Sequence, residues 1–373
     1  YLVALEATPG KELWKQETFI DRQRPYSITG APIIAGDKVV IGNSGADKGV
    51  RGYLSAYEAG SGAFAWRFFT VPGDPAHGFE HPELELAAKT WDPHSDWTTG
   101  GGGTVWDNMV YDPELNLLYV GTGNAAPYPR WFRSPAGGDN LFLASILALH
   151  PDSGRLAWYY QTTPGESWDY TATQNMVLAE LSIEGKTRKV LMQAPKNGFF
   201  YVLDRITGEL LSAKNYVRVN WASHIDLNTG KPVLTGQGDY QHQPKVVLPG
   251  PLGGHNWMPM AFSPLTRLVY IPAIDLGGLY ISQPSYTFNP TTWNTGAELY
   301  WEPPFPAAYA KYTQGFENER AQDHLLAWDP VAQRAVWSVP LEGFYNGGTL
   351  ATAGNLVFQG TSTGYFIAYD ART

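Results

Sequence analysis

A carboxylate set between two large aromatic residues, Trp168-Asp169-Tyr170, is the position in this sequence best suited to acid–base chemistry. Flanking rings exclude water and set the pKa of such a group, so Asp169 is a candidate general base. Taken alone, it reads more simply as a turn acid accepting bonds from backbone amides. Asn124 ends the run Gly121-Thr122-Gly123-Asn124, and Asp47 ends Gly42-Asn43-Ser44-Gly45-Ala46-Asp47. Two carboxylates and an amide oxygen are the hard ligands that Ca²⁺ prefers, although nothing in the spacing brings the three together. Asparagine is equally an ordinary turn residue.

Trp106 follows the glycines at 100–103 and Thr104. It could be a flat platform for a planar ligand, with the glycines allowing close backbone approach. Lys196 lies in Pro195-Lys196-Asn197-Gly198 at a hairpin, where a lysine is ordinarily solvated. Asn256 and Trp257 follow Gly253-Gly254-His255 and call for the same caution. Two apparent motifs are set aside. Gly360-Thr361-Ser362-Thr363-Gly364 fits the hydrolase G-x-S-x-G pattern, but a strand rather than a helix follows it. His77, His81 and His94 lie in a polar loop without a matched fourth ligand.

The elements that position these loops are repeats. An alanine in an apolar strand is followed ten residues later by tryptophan in Ala4/Trp14, Ala56/Trp66, Ala148/Trp158 and Ala327/Trp337. A further copy around Val202 has Ser212 in the tryptophan position, and one beginning at Ala368 stops with the sequence. Each copy predicts strand, tight turn and strand, with the tryptophan returning to cover that turn. Between the copies lie hairpins at residues 33–42, 109–121, 260–271 and 350–358. Together these give four strands per roughly 75 residues, the blade of an all-β propeller with long inserts. About five blades fit, as one partial propeller domain over 1–373. The first and last strands could complete one blade by pairing, or the chain could be a fragment of a larger ring. The inserts, at about 67–108, 122–140 and 213–258, are where function is expected. The only helix expected is short, at 82–89.

The net charge of −9 argues against nucleic acid or an anionic membrane surface as partner. The longest apolar run, residues 141–149, is too short to span a bilayer. No cysteine is present, so thiol catalysis and disulfides are excluded within these residues. No signal peptide is visible, so the chain reads as cytosolic or already processed.

The sequence resembles the pyrroloquinoline quinone (PQQ)-dependent alcohol dehydrogenases, eight-bladed quinoproteins, and most closely their quinohaemoprotein branch. The resemblance runs from end to end. It is carried by Ile28-Thr29-Gly30-Ala31-Pro32, Gly49-Val50-Arg51-Gly52-Tyr53, and the segments at 100–106, 121–124, 161–171, 194–204 and 253–260. It implies that Asp169 takes the alcohol proton and that Asp47, Asn124 and Asp169 bind the metal. It implies that Trp106 stacks on PQQ, and that Thr29, Ser44, Gly45, Ala46, Thr104, Lys196, Asn256 and Trp257 contact it. The implied reaction oxidises a small alcohol to an aldehyde by hydride transfer to the quinone. Electrons would pass to a cytochrome c or haem domain, in the periplasm.

The family usually has Glu where this sequence has Asp47, whose carboxylate reaches about 1.5 Å less far. Lanthanide-using relatives carry an extra Asp two residues after the catalytic one; Thr171 stands there, which favours Ca²⁺ over a lanthanide. The remaining N- and C-terminal blades, and any haem c domain, would lie outside this chain, which is expected to be an internal fragment. Two other readings remain: a quinoprotein acting on sugars, polyols or polymeric alcohols, and a cofactor-free propeller scaffold.

Overall fold

The computed structural model describes residues 1–373, and they form two compact units. The first comprises Tyr1–Ser167 and Ser285–Gly296; the second comprises Trp168–Pro284 and Ala297–Thr373.

The first unit holds a two-stranded sheet, Leu2–Leu5 with Glu12–Gln16, and two four-stranded antiparallel meanders. One meander runs through Ile33–Ala35, Lys38–Gly42, Tyr53–Glu58 and Phe64–Phe69; the other runs through Met109–Asp112, Leu117–Gly121, Ser145–Leu149 and Leu156–Gln161. Strands pair antiparallel in chain order, although the second and third strands of each meander are joined by the longer segments 43–52 and 122–144. Their facing surfaces bury Val40, Leu54, Phe68, Leu118, Val120 and Leu147 in one core. The expected short helix forms at Glu83–Ala88, with Pro82 at its N-terminal boundary.

The second unit repeats the pattern. One meander is Val177–Ile183, Lys186–Gln193, Phe199–Asp204 and Leu210–Asn215. The other is Ala261–Ser263, Leu268–Asp275, Gln322–Asp329 and Arg334–Pro340. A three-stranded sheet, Thr349–Ala351, Leu356–Gly360 and Phe366–Asp370, follows. Residues 360–364 are therefore a hairpin connection, and the G-x-S-x-G reading is rightly set aside.

The ten-residue spacing has a geometric cause. Ala4, Ala56, Ala148 and Ala327 sit directly opposite Trp14, Trp66, Trp158 and Trp337 in their ladders, and Val202 opposite Ser212. In all five hairpins the register shifts immediately after that position, which inserts the same bulge.

The target of the tryptophan differs from expectation: Trp14, Trp66 and Trp337 each reach the turn of the next repeat, not their own. Trp14 Nε1 donates to Ala59 O at 2.9 Å, and Trp66 Nε1 to Pro151 O at 2.7 Å. A Cβ on Gly62 would stand 2.6 Å from the Trp14 ring, and one on Gly154 2.6 Å from Trp66. Trp337 Nε1 likewise reaches Ala371 O at 3.4 Å. These indoles leave the face of one sheet and satisfy their N–H groups on backbone carbonyls of the next. No helix is long and apolar enough to cross a membrane.

Candidate active site

In the first unit, Asp47 occupies a 3₁₀ turn, Ala46–Lys48, bounded by Gly45 and Gly49, both left-handed. A Cβ on Gly49 would lie 2.3 Å from Phe288, so the turn is possible only with glycine there. Asp47 Oδ1 accepts from Asn124 Nδ2 at 2.9 Å and from the Tyr128 hydroxyl at 2.8 Å. Its backbone oxygen accepts from Asn294 N at 2.5 Å. The structure thus joins Asp47 and Asn124, which stand far apart in sequence. Tyr128 was missed by sequence reasoning; its only signal is the pair of prolines, Pro127 and Pro129, that fix it.

Ser44 pairs by backbone with Ser27, and its hydroxyl lies 2.7 Å from Thr29 Oγ1. Thr29 Oγ1 also donates to Trp106 O at 2.6 Å, tying this strand end to the tryptophan. The Trp106 ring lies beside Gly123, where a Cβ would be 3.2 Å from its Cδ1 and 2.9 Å from Thr104 O. Thr29, Ser44, Thr104, Trp106 and Asn124 therefore belong to one neighbourhood. Gly45 and Ala46 supply the adjoining turn. Thr104 Oγ1 is buried without a partner. Also missed was Glu166, fully buried, whose Oε2 accepts from Ala125 N at 3.0 Å beside Asn124.

Asp107, next to Trp106, buries Oδ2 without a partner, and burial pushes its pKa up to about 7. The folded chain therefore binds this proton more tightly than the unfolded chain does. Its contribution to stability declines as pH rises from about 4 to about 7 and is level above that. Asp107→Asn should consequently raise Tm relative to the parent at about pH 8 and leave it little changed near pH 4. Parallel melting profiles across that range would refute the assignment.

In the second unit, Asp169 adopts a φ of 65°, a region more tolerated by Asp than by most residues. The expected aromatic flanks are anchored. Trp168 Nε1 donates to Gly238 O at 2.8 Å, and Trp168 and Tyr170 both pack on the buried Trp221 with centroids 5.2 and 5.6 Å away. Tyr280 donates to Trp168 O at 2.8 Å.

Lys196 is not the solvated turn lysine that its hairpin suggests. It is buried, and Nζ donates to Asp169 Oδ2 at 3.0 Å. Gly253 allows this, since a Cβ there would stand 2.4 Å from Lys196 Cγ. Gly254 N then donates to Lys196 O at 2.9 Å. His255, fully buried between Ala194 O and Met258 O at 2.7 and 2.6 Å, fastens the same loop; burial lowers its pKa, opposed by those two contacts. Asn256 turns its amide into its own loop, Nδ2 to Leu252 O at 2.7 Å and Oδ1 from Trp257 N at 2.9 Å. The Trp257 side chain stands 52% exposed. Thr171 Oγ1 is engaged with Thr173 and Gln174. His81 is held by Glu83 and Phe69 and stacks on Phe68 at 4.3 Å, a packing role.

Tryptophan-docked antiparallel meanders carrying such polar loops define a β-propeller. The chain matches the family described as "PQQ: Glucose/ethanol/alcohol dehydrogenase, beta-propeller domain" over residues 15–226, and it belongs to that family. It is 56% identical over 370 residues to the quinohemoprotein alcohol dehydrogenase ADH IIB of Pseudomonas putida, covering 99% of this chain and 52% of that protein. The crystal structure of quinohemoprotein alcohol dehydrogenase from Comamonas testosteroni superposes with a TM-score of 0.93 at 50% identity, covering 100% of this chain and 55% of that one. A europium-containing methanol dehydrogenase gives a TM-score of 0.87 at 34% identity, covering 99% and 63%. The chain spans about half the length of the curated relatives it matches.

Proposed function

We propose that this chain supplies the PQQ-binding propeller of a Ca²⁺-dependent alcohol dehydrogenase that oxidises primary alcohols to aldehydes. The observation that supports the reading is the buried Asp169–Lys196 pair, a carboxylate and a cation of the kinds that serve as general base and charge stabiliser.

The residues fit the cofactor and ion. Thr104 Oγ1 is an unpartnered buried hydroxyl beside the partly exposed face of Trp106. The Asp47–Asn124 pair offers hard oxygen atoms to a divalent ion. Thr29, Ser44, Gly45 and Ala46 line the adjoining turn, and Asn256 and Trp257 follow the glycines that fit against Lys196. When bound, the quinone would supply a carbonyl, polarised by the cation, that takes up the hydride leaving the alcohol carbon.

Asp169 accepts the hydroxyl proton as that hydride leaves, so the alcohol gives up two electrons and two protons in becoming an aldehyde. Lys196 Nζ fixes the carboxylate oxygen and offsets negative charge developing on the reacting oxygen. By the family resemblance Asp169 also serves as a third cation ligand. A neutral, hydrogen-bonded Thr171 supports Ca²⁺ over a trivalent ion. The electron acceptor is a cytochrome c or haem c domain, and the compartment is the periplasm.

The test uses the full-length protein purified without cofactor. PQQ with Ca²⁺ or La³⁺ is added, and dye reduction is followed with primary alcohols, polyols and aldoses. Turnover of primary alcohols with Ca²⁺ is expected. Turnover confined to polyols or aldoses would reassign the substrate class. Failure to bind PQQ with either ion would overturn the enzyme reading.

A further inference from the structure

Tyr345 has a φ of 65°, the left-handed region that bulky side chains avoid. Its successor holds it there. Asp323 Oδ2 accepts from Asn346 N at 3.1 Å and from Asn346 Nδ2 at 2.9 Å. Asn346 Oδ1 in turn accepts from Ser362 N at 3.0 Å, and Gly347 N donates to Gly360 O at 2.9 Å. Asp323 and Asn346 are both buried, so the peptide entering Asn346 cannot relax. The strain falls on Tyr345. Strain imposed by fixed surroundings concentrates at functional sites.

What this turn presents is an aromatic wall. The rings of Tyr345 and Trp257 meet edge to face, with centroids 6.4 Å apart at 65°. Phe344 lies 5.6 Å from Tyr345. Burial raises the pKa of the Tyr345 hydroxyl; a hydrogen bond with Trp257 opposes that rise and the Asp169 carboxylate adds to it. Trp257 in turn belongs to the loop whose Gly253 packs on the stem of Lys196, and Lys196 Nζ donates to the Asp169 carboxylate at 3.0 Å, so the wall stands on the loop that supports the assigned base. An alcohol whose hydroxyl is held at Asp169 needs an apolar surface for its carbon skeleton, and these rings are partly open to receive it.

We propose that Tyr345 is a specificity-determining residue whose ring bounds the alcohol pocket beside Asp169 and limits the size of the substrate admitted. This rests on the alcohol dehydrogenase reading above. Pocket walls that act through methylene contacts discriminate by about 10–200-fold.

The strained backbone makes a clean test. Glycine adopts this φ without penalty, so Tyr345→Gly deletes the ring without straining the fold. In the full-length protein loaded with PQQ and Ca²⁺, kcat/KM is measured for ethanol and for benzyl alcohol, with Tm recorded for each variant. Tyr345→Gly should raise the benzyl alcohol-to-ethanol ratio by about 10-fold or more, with Tm showing that the variant is folded at the assay temperature. Tyr345→Phe, which keeps the ring, should leave the ratio near the parent value. An unchanged ratio in an active Tyr345→Gly variant overturns the proposal, as does an equal change in Tyr345→Phe. A parent that oxidises no alcohol overturns the underlying reading first, and this one with it.

Discussion

Asp169→Asn should lower kcat by about 10²–10⁴-fold, the contribution of a positioned general base. Asparagine is nearly isosteric and tolerates the φ of 65° found at this position. Trp168 and Tyr170 keep their anchors on Gly238 and Trp221. What changes is the charge. The side chains of Lys196 and Asp169 are only 7% and 9% exposed, so neutralising the carboxylate leaves a buried ammonium without its counter-ion. Breaking such a pair from one side costs about 3–5 kcal/mol, less whatever the asparagine oxygen still accepts. Stability and catalysis therefore fall together in the single variant, and a second substitution must separate them. Lys196→Met added to Asp169→Asn removes the stranded charge and should recover much of the lost Tm, while leaving kcat low. Urea unfolding beside steady-state kinetics reads both quantities. An Asp169→Asn enzyme that keeps more than about a tenth of parental kcat would remove Asp169 from the role of base.

The second large effect is on the cation. Asp47→Asn should weaken Ca²⁺ binding to the apoprotein by at least about 100-fold, since loss of a ligand charge exceeds the 10–100-fold typical of supporting residues. Calorimetric titration reads it directly. The loss of Ca²⁺-dependent protection against thermal unfolding gives an independent measure. Asparagine can still accept from Asn124 Nδ2 and Tyr128, so the turn survives and the effect isolates charge. Tyr128→Phe removes one hydrogen bond to Asp47 Oδ1 and should weaken Ca²⁺ by about 10–100-fold. Asp47→Glu restores the length usual in the family and should bind at least as well as the parent. Equal Ca²⁺ affinity in Asp47→Asn and the parent would exclude Asp47 from the ion site.

The propeller was legible because its repeat is local. A bulged turn fixes the ten-residue offset from alanine to tryptophan, and backbone geometry enforces that offset in each of these hairpins. The aromatic flanks of Asp169 were legible because adjacency in sequence is adjacency in space. Two readings failed for the opposite reason. The tryptophan was expected on its own turn, yet Trp14 and Trp66 dock on Gly62 and Gly154 of the following repeats. Lys196 looked solvated, yet the Gly253 loop closes over its stem. In both cases the partner is a glycine, a residue whose meaning is the space it leaves. Tyr128 was marked only by its flanking prolines, Glu166 lay in the 161–171 segment without an assigned role, and Tyr345 carried no motif.

By itself, then, the sequence determined the strand–turn–strand periodicity, the positions of the long inserts and the residue types available for chemistry. These follow from interactions spanning about ten residues, where covalent geometry limits the outcomes. Only the tertiary structure decided which atoms meet: Asp47 with Asn124 and Tyr128, Lys196 with Asp169, and the pinned Asn346 that strains Tyr345. Those contacts join loops from different strands, and their geometry exists only once sheets have stacked and glycines have let backbones close together.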